Sequence, residues 1–69
     1  MKQKEMVLSY MKEFGSITAL EALRDLGVFR LAARIANLKD DGVNIKTEYE
    51  TAPNRYGKKT KYARYSLEG

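Results

Sequence analysis

Thr18-Ala19-Leu20-Glu21-Ala22-Leu23-Arg24-Asp25-Leu26-Gly27-Val28-Phe29-Arg30-Leu31-Ala32-Ala33-Arg34-Ile35-Ala36-Asn37-Leu38-Lys39-Asp40-Asp41-Gly42 reads as two short helices joined by a tight glycine turn. Thr18 and Glu21 have the spacing of a capping box, in which the Thr hydroxyl accepts from an orphan backbone N–H and the Glu carboxylate reaches back to the cap residue's own N–H. A helix therefore starts at Thr18 and runs to Asp25 or Leu26. Gly27 tolerates the left-handed backbone that ends helices, and Val28-Phe29 then resumes an apolar pattern. A turn of about three or four residues is the length a helix-turn-helix needs.

From Phe29 to Asp41 the spacing is helical again. Leu31, Ile35 and Leu38 fall at i, i+4 and i+7, with Val28 and Ala32 flanking the same stripe, so this face is expected to be buried. The opposite face is read as Phe29, Arg30, Ala33, Arg34 and Asn37, which is basic, small and amide-bearing rather than the Glu/Lys mosaic of an ordinary solvated helix. Arg and Asn pair bidentately with guanine and adenine edges in the major groove, and Ala33 between them lets a helix approach closely. The bland alternative pairs Arg30 and Arg34 with Asp40 and Asp41 on a solvated surface.

Working outward, Lys2 to Phe14 carries Val7, Leu8, Met11 and Phe14 on one helical face, with Gly15 as the stop. Tyr10 is expected on the flank, its ring on the core edge and its hydroxyl in water. Lys2, Lys4 and Lys12 read most simply as solvated, with a phosphate contact near a helix terminus as the alternative. Ser16-Ile17 is either a hydrophobic staple before the Thr18 cap or a brief extended segment. Beyond Gly42 the period changes to two: Val43, Ile45, Thr47, Tyr49 and Thr51 alternate with polar residues, as in a half-buried strand. Ala52 to Lys59, which holds the only proline, reads as a loop. Thr60 to Leu67 alternates once more, with Ala63, Tyr65 and Leu67 opposite Tyr62, Arg64 and Ser66, and the core is expected to take Tyr49 and Tyr65. Asp40-Asp41 at a helix C-terminus opposes the macrodipole, an arrangement that Lys39 or Arg34 would offset.

Sixty-nine residues with 43% hydrophobic content bound the chain to one small domain, residues 1–69. Cys and His are both absent, which removes disulfides, zinc fingers, thiol nucleophiles and the usual general base. No signal core or membrane-spanning run is present, so a cytoplasmic address is expected. The net charge of +4 is localised. Residues 1–50 hold eight Lys/Arg and eight Asp/Glu, whereas residues 51–69 hold Arg55, Lys58, Lys59, Lys61 and Arg64 against Glu68 alone. A basic segment on a neutral body suggests a polyanionic partner.

Together these elements predict an α+β winged helix: a three-helix helix-turn-helix core followed by a two-stranded antiparallel hairpin, the wing. In such an arrangement the third helix enters the major groove and the wing tracks the backbone or minor groove. Double-stranded DNA is the expected partner. Phe29, Arg30, Ala33, Arg34 and Asn37 are the candidate contacts on the recognition helix, and Asn54, Arg55, Tyr56, Lys58, Lys59 and Lys61 those on the wing. A lysine-rich hairpin tip could also serve solubility or edge protection. The runner-up function is a protein-interaction module docking an acidic partner, since fold alone does not settle function; single-stranded nucleic acid, suggested by the tyrosines, is a third. A homodimer is left open. Enzymatic readings fail: Gly57-Lys58-Lys59-Thr60 echoes a phosphate-binding loop without its upstream glycine or following helix, and the paired acids lack a third ligand. No catalysis, cofactor, metal or small-molecule substrate is expected.

Gly15-Ser16-Ile17-Thr18, Glu21-Ala22-Leu23, Leu26-Gly27, Arg30 to Ile35, Leu38, Gly42 to Ile45, Asn54-Arg55-Tyr56-Gly57 and Tyr62-Ala63 also resemble a family of small winged helix-turn-helix proteins of bacteriophages and prophages. The resemblance covers nearly the whole chain. It implies a phage or prophage origin in a bacterial host and DNA binding in transcription or in assembly of a recombination complex, with Arg30 and Arg34 exposed or semi-exposed on the recognition helix. Phe29 departs from the pattern as a bulky aromatic in the turn, where packing competes with base reading.

Overall fold

Both halves of the capping box form: Thr18 Oγ1 accepts from the Glu21 N–H at 3.2 Å, and Glu21 Oε1 accepts from the Thr18 N–H at 2.9 Å. The computed structural model describes residues 1–68. Its elements are α1 (Gln3–Phe14), β1 (Ser16–Thr18), α2 (Ala19–Glu21), a π-helical turn (Ala22–Leu26) that continues α2, α3 (Leu31–Asp40), β2 (Ile45–Pro53) and β3 (Lys59–Leu67). The motif helix thus ends at Leu26, as its glycine requires, but its second half is wound wider than an α-helix. Gly27, at φ 67°, donates to the carbonyls of both Ala22 and Leu23, and the Val28 N–H reaches the Ala22 carbonyl at 3.0 Å. This closure spans one residue more than a Schellman motif, which is what a π turn does to the cap that follows it.

The core joins Val7, Tyr10 and Met11 of α1, Ile17 of β1, Ala22, Val28, the Leu31/Ile35/Leu38 stripe of α3, and Ile45 of β2. The stripe of α3 is buried as its spacing requires. That of α1 is rotated: Phe14 is 63% exposed, while Tyr10 is buried. Phe14 is the last residue of its helix and stacks against the Tyr10 ring at 4.6 Å. The Tyr10 hydroxyl is not left to water but donates to Asp25 Oδ2 at 2.6 Å, tying α1 to the π turn. The acidic end of α3 is resolved in a similar way. Lys4 Nζ lies 2.7 Å from Asp41 Oδ2, so the offsetting cation comes from α1 rather than from Lys39 or Arg34.

Ser16-Ile17-Thr18 is a true strand, pairing antiparallel with β3 through Ile17↔Tyr65, and the sheet order is β1-β3-β2. Ile17 is fully buried, which specifies the register of so short a strand. β2 starts at Ile45 rather than Val43, because the Val43 N–H is taken by the Leu38 carbonyl at 3.0 Å in closing α3. It also runs further than expected, through Pro53. The hydrogen bonds Glu68 N–H to Asn44 O and Asn54 N–H to Lys58 O place even-numbered residues of β2 toward β3. Odd-numbered residues, Pro53 included, therefore face the open edge, where no ladder donor is needed. Tyr49 is on the core-side face but 64% exposed, so its expected core position is corrected: the hairpin outruns the helical layer that covers Ile45.

Two outcomes follow from these contacts. Thr18→Ala is expected to destabilise the fold by about 1 kcal/mol, lowering the thermal midpoint by roughly 4–8 °C for a domain of this size; an unchanged midpoint in circular dichroism would sever the cap from the stability of the motif. Asp25 is the second case. The Arg24 guanidinium, bonded at 2.8 and 3.1 Å, and then the Tyr10 hydroxyl lower its pKa from 3.8 to about 2. A carboxylate depressed on folding contributes stability above its unfolded pKa and loses it as pH falls through the folded one. Tyr10→Phe should therefore destabilise most above about pH 4, with the difference from wild type shrinking toward about pH 2. Urea midpoints across that range test it, and a pH-independent difference would remove Asp25 from the effect.

Candidate nucleic-acid interface

α3 begins without a side-chain cap: Arg30 occupies the N-cap position and makes no capping hydrogen bond. Its first turn, with Phe29 and Arg30, lines a cleft of about 300 Å³ whose other wall is Ala63 and Tyr65 of β3, with Ala19 at its end. Uncapped N–H groups at a helix start favour anions. The cleft also joins α3 to the core-side face of the wing, because Tyr49, Lys61, Ala63 and Tyr65 share that face by strand alternation.

The expected recognition-helix residues are not all on one face. Phe29 is 83% exposed, so it does not pack into the turn, and Arg30 is exposed. Ala33 and Asn37 are half-buried on the solvent side. Arg34 is placed differently from expectation. A rotation of 100° per residue sets it beside the Leu31/Leu38 stripe rather than opposite, where it is half-buried and its Nε is enclosed with no hydrogen-bond partner. Ala32, expected to flank the stripe, is exposed, as is Ala36. Sequence reading missed these two methyl groups; the same helical rotation, applied from the centre of the stripe, finds them.

The wing tip is a three-residue loop, Arg55-Tyr56-Gly57, with Gly57 at φ 79° as its left-handed residue. Asn54 Oδ1 accepts from the N–H groups of Tyr56 at 2.9 Å and Lys58 at 3.1 Å, so this side chain closes the turn. Arg55, Tyr56, Lys58, Lys59 and Lys61 are all exposed. Lys61 Nζ stands 4.8 Å from the Tyr49 ring centroid, a contact hidden from sequence because strand alternation alone sets Tyr49 in the core.

The cations divide into two sets. Lys4, Arg24, Lys46 and Arg64 are ion-paired with Asp41, Asp25, Glu48 and Glu50 respectively. Arg64 does not belong to the basic tip: it bonds Glu50 Oε1 at 2.6 Å and Ser16 Oγ at 3.0 Å. The Arg64 guanidinium holds the Glu50 carboxyl below its ordinary range, and the Glu50 hydrogen bond raises Arg64 in turn. Among the described residues, Lys2, Lys12, Arg30, Arg34, Lys39, Arg55, Lys58, Lys59 and Lys61 have no acidic partner within 4.0 Å. A larger groove of about 470 Å³ lies between α2 and the far face of the wing, but its cations, Arg24 and Arg64, both belong to the paired set. Six of these nine unpaired cations lie at the start of α3 and on the wing; Lys2 and Lys12 belong to the α1 side, and Lys39 to the end of α3.

Among the described residues, no group of three or more His, Cys, Asp or Glu could hold a metal ion, and no helix is long and apolar enough to cross a membrane. Comparison with known protein families matches residues 2–69 to the winged helix-turn-helix domain. A search of curated proteins returns no match.

Proposed function

The chain belongs to the winged helix-turn-helix domain family, and from that premise we propose that it binds double-stranded DNA, with α3 in the major groove and the wing on the backbone or minor groove. The observation that carries this reading is the location of the unpaired cations: six of the nine lie at the start of α3 and on the wing, on either side of the cleft between them. Arg55, Lys58, Lys59 and Lys61 serve as phosphate contacts, with Arg55 or Tyr56 placed to enter the minor groove. Asn54 acts by shaping the tip. Asn37, on the solvent side of α3, reads adenine, with Ala33 allowing close approach and Phe29 and Arg30 at the helix start. Arg34 breaks no hydrogen bond by swinging out, since its Nε has none to lose. The sequence resemblance supports a regulator or accessory DNA-binding factor of phage or prophage origin, acting without catalysis in the cytoplasm of a bacterial host. An acidic protein partner would meet the same unpaired cations and is the alternative.

A fluorescence-anisotropy titration on random duplex separates the two. The wing cations with Arg30 and Arg34 supply roughly four to six phosphate contacts, so log K against log salt should have a slope of about −4 to −5. No binding at low salt would favour the protein partner. The two surfaces should also fail differently. Asn37→Ala is expected to cost about 1–3 kcal/mol on a site selected from a random library and little on random duplex. Replacing Lys58 and Lys59 with Ala should weaken both duplexes alike and make the slope shallower by about 2. Arg34→Ala assigns that residue: loss confined to the selected site makes it a base reader, and equal loss on both duplexes makes it a phosphate contact.

A further inference from the structure

We propose that the open edge of β2 is a self-association surface, on which a second copy of the chain adds its own β2 antiparallel, centred on Thr47. β2 is the outer strand of the sheet, nine residues long and exposed along most of its length. The parity fixed by the Asn44–Glu68 and Asn54–Lys58 hydrogen bonds turns the N–H and C=O groups of Ile45, Thr47, Tyr49 and Thr51 outward, without partners in the sheet. Such an edge is a template for another strand unless something blocks it.

Side-chain charge selects the partner and the register. A two-fold axis through the sheet pairs residues of the same face, so the shared centre must fall on a residue. Centring on Lys46 sets Lys46 against itself, centring on Glu48 or Glu50 sets each against itself, and centring on Tyr49 opposes Glu48 to Glu50. Centring on Thr51 opposes Glu50 to Ala52 and forms no ion pair. Centring on Thr47 opposes Lys46 to Glu48 of the other copy, twice, with no like-charge contact. These are non-hydrogen-bonded positions, where opposing side chains come closest. In this register Thr47 meets Thr47, and Ile45 meets Tyr49, covering part of an aromatic ring that the free protein leaves 64% exposed. Lys46 and Glu48 already pair within one strand at 2.9 Å, so the two copies assemble a four-charge cluster of alternating sign. The charges that would ordinarily protect an edge strand are here arranged to attract the chain's own copy.

A single added strand buries far less than a standard interface of about 1,600 Å², so the association is weak and concentration-dependent. Sedimentation equilibrium from about 10 µM to about 1 mM, without DNA, should show a monomer–dimer transition in the wild-type chain. Lys46→Glu and Glu48→Lys each place like charges across the axis and should weaken dimerisation by about tenfold or more. An equimolar mixture of the two variants restores opposite charges at both positions and should form a heterodimer. Thr47→Pro removes an outward-facing N–H that serves no bond in the free sheet and should abolish association while circular dichroism remains folded. A wild-type chain that stays monomeric throughout, a Lys46→Glu variant that dimerises like wild type, or folded variants that do not associate when mixed would each overturn the proposal.

Discussion

Thr18 belongs to two structures at once, and the relation between helices and wing depends on that. As the last residue of β1 it pairs with Arg64 of β3; as the N-cap of α2 it closes a capping box with Glu21. The Glu21 carboxylate that completes the box also lies 3.5 Å from Arg64 Nη1, and Arg64 bonds Glu50 on β2. One chain of contacts thus runs from the start of the helix-turn-helix across all three strands. Each exposed ion pair in it would be worth little alone. One guanidinium, shared among Ser16, Glu21 and Glu50, stands where the hairpin leaves the helical layer. The same geometry leaves Tyr49 and Lys61 on the side facing α3.

What the sequence made legible was local. The Thr18/Glu21 spacing, the left-handed Gly27, the i, i+4, i+7 stripe of α3 and the change to period two after Gly42 each act within a few residues, and each is found in the structure. The unread features are those that a distant segment decides. β1 is only three residues long, and its existence rests on Ile17 finding Tyr65, far along the chain. Tyr10 replaces Phe14 in the core because Asp25 offers its hydroxyl a partner. Lys4 and Arg64 look like solvated or DNA-facing cations until the fold brings Asp41 and Glu50 beside them. For the candidate site, the composition of the wing and the rotation of α3 are both local signals, but the rotation has to be counted from the centre of the stripe; counted so, Arg34 and Ala32 exchange the environments their residue types suggest.

The two helices of the motif differ in a way that bears on their roles. α2 is capped on both sides of its first turn, ends in a glycine closure and is tied by Asp25 to α1. α3 opens with an uncapped first turn, exposes Phe29 beside it and leaves Arg34 Nε without a partner. Each of these departures is unfavourable for the isolated chain, the missing cap alone by about 1 kcal/mol. The missing cap and the exposed aromatic are not peculiar to α3, since α1 also starts without a side-chain cap and exposes Phe14 at its end; the unpartnered Arg34 Nε is found only on α3 among the described residues, in a region that also carries unpaired cations. Proteins break local rules chiefly where another requirement competes with stability. Here an external polyanion would supply acceptors for the free N–H groups, for Arg30 and for an extended Arg34 together, so the defects of α3 in the free chain are the complement of the ligand proposed for it.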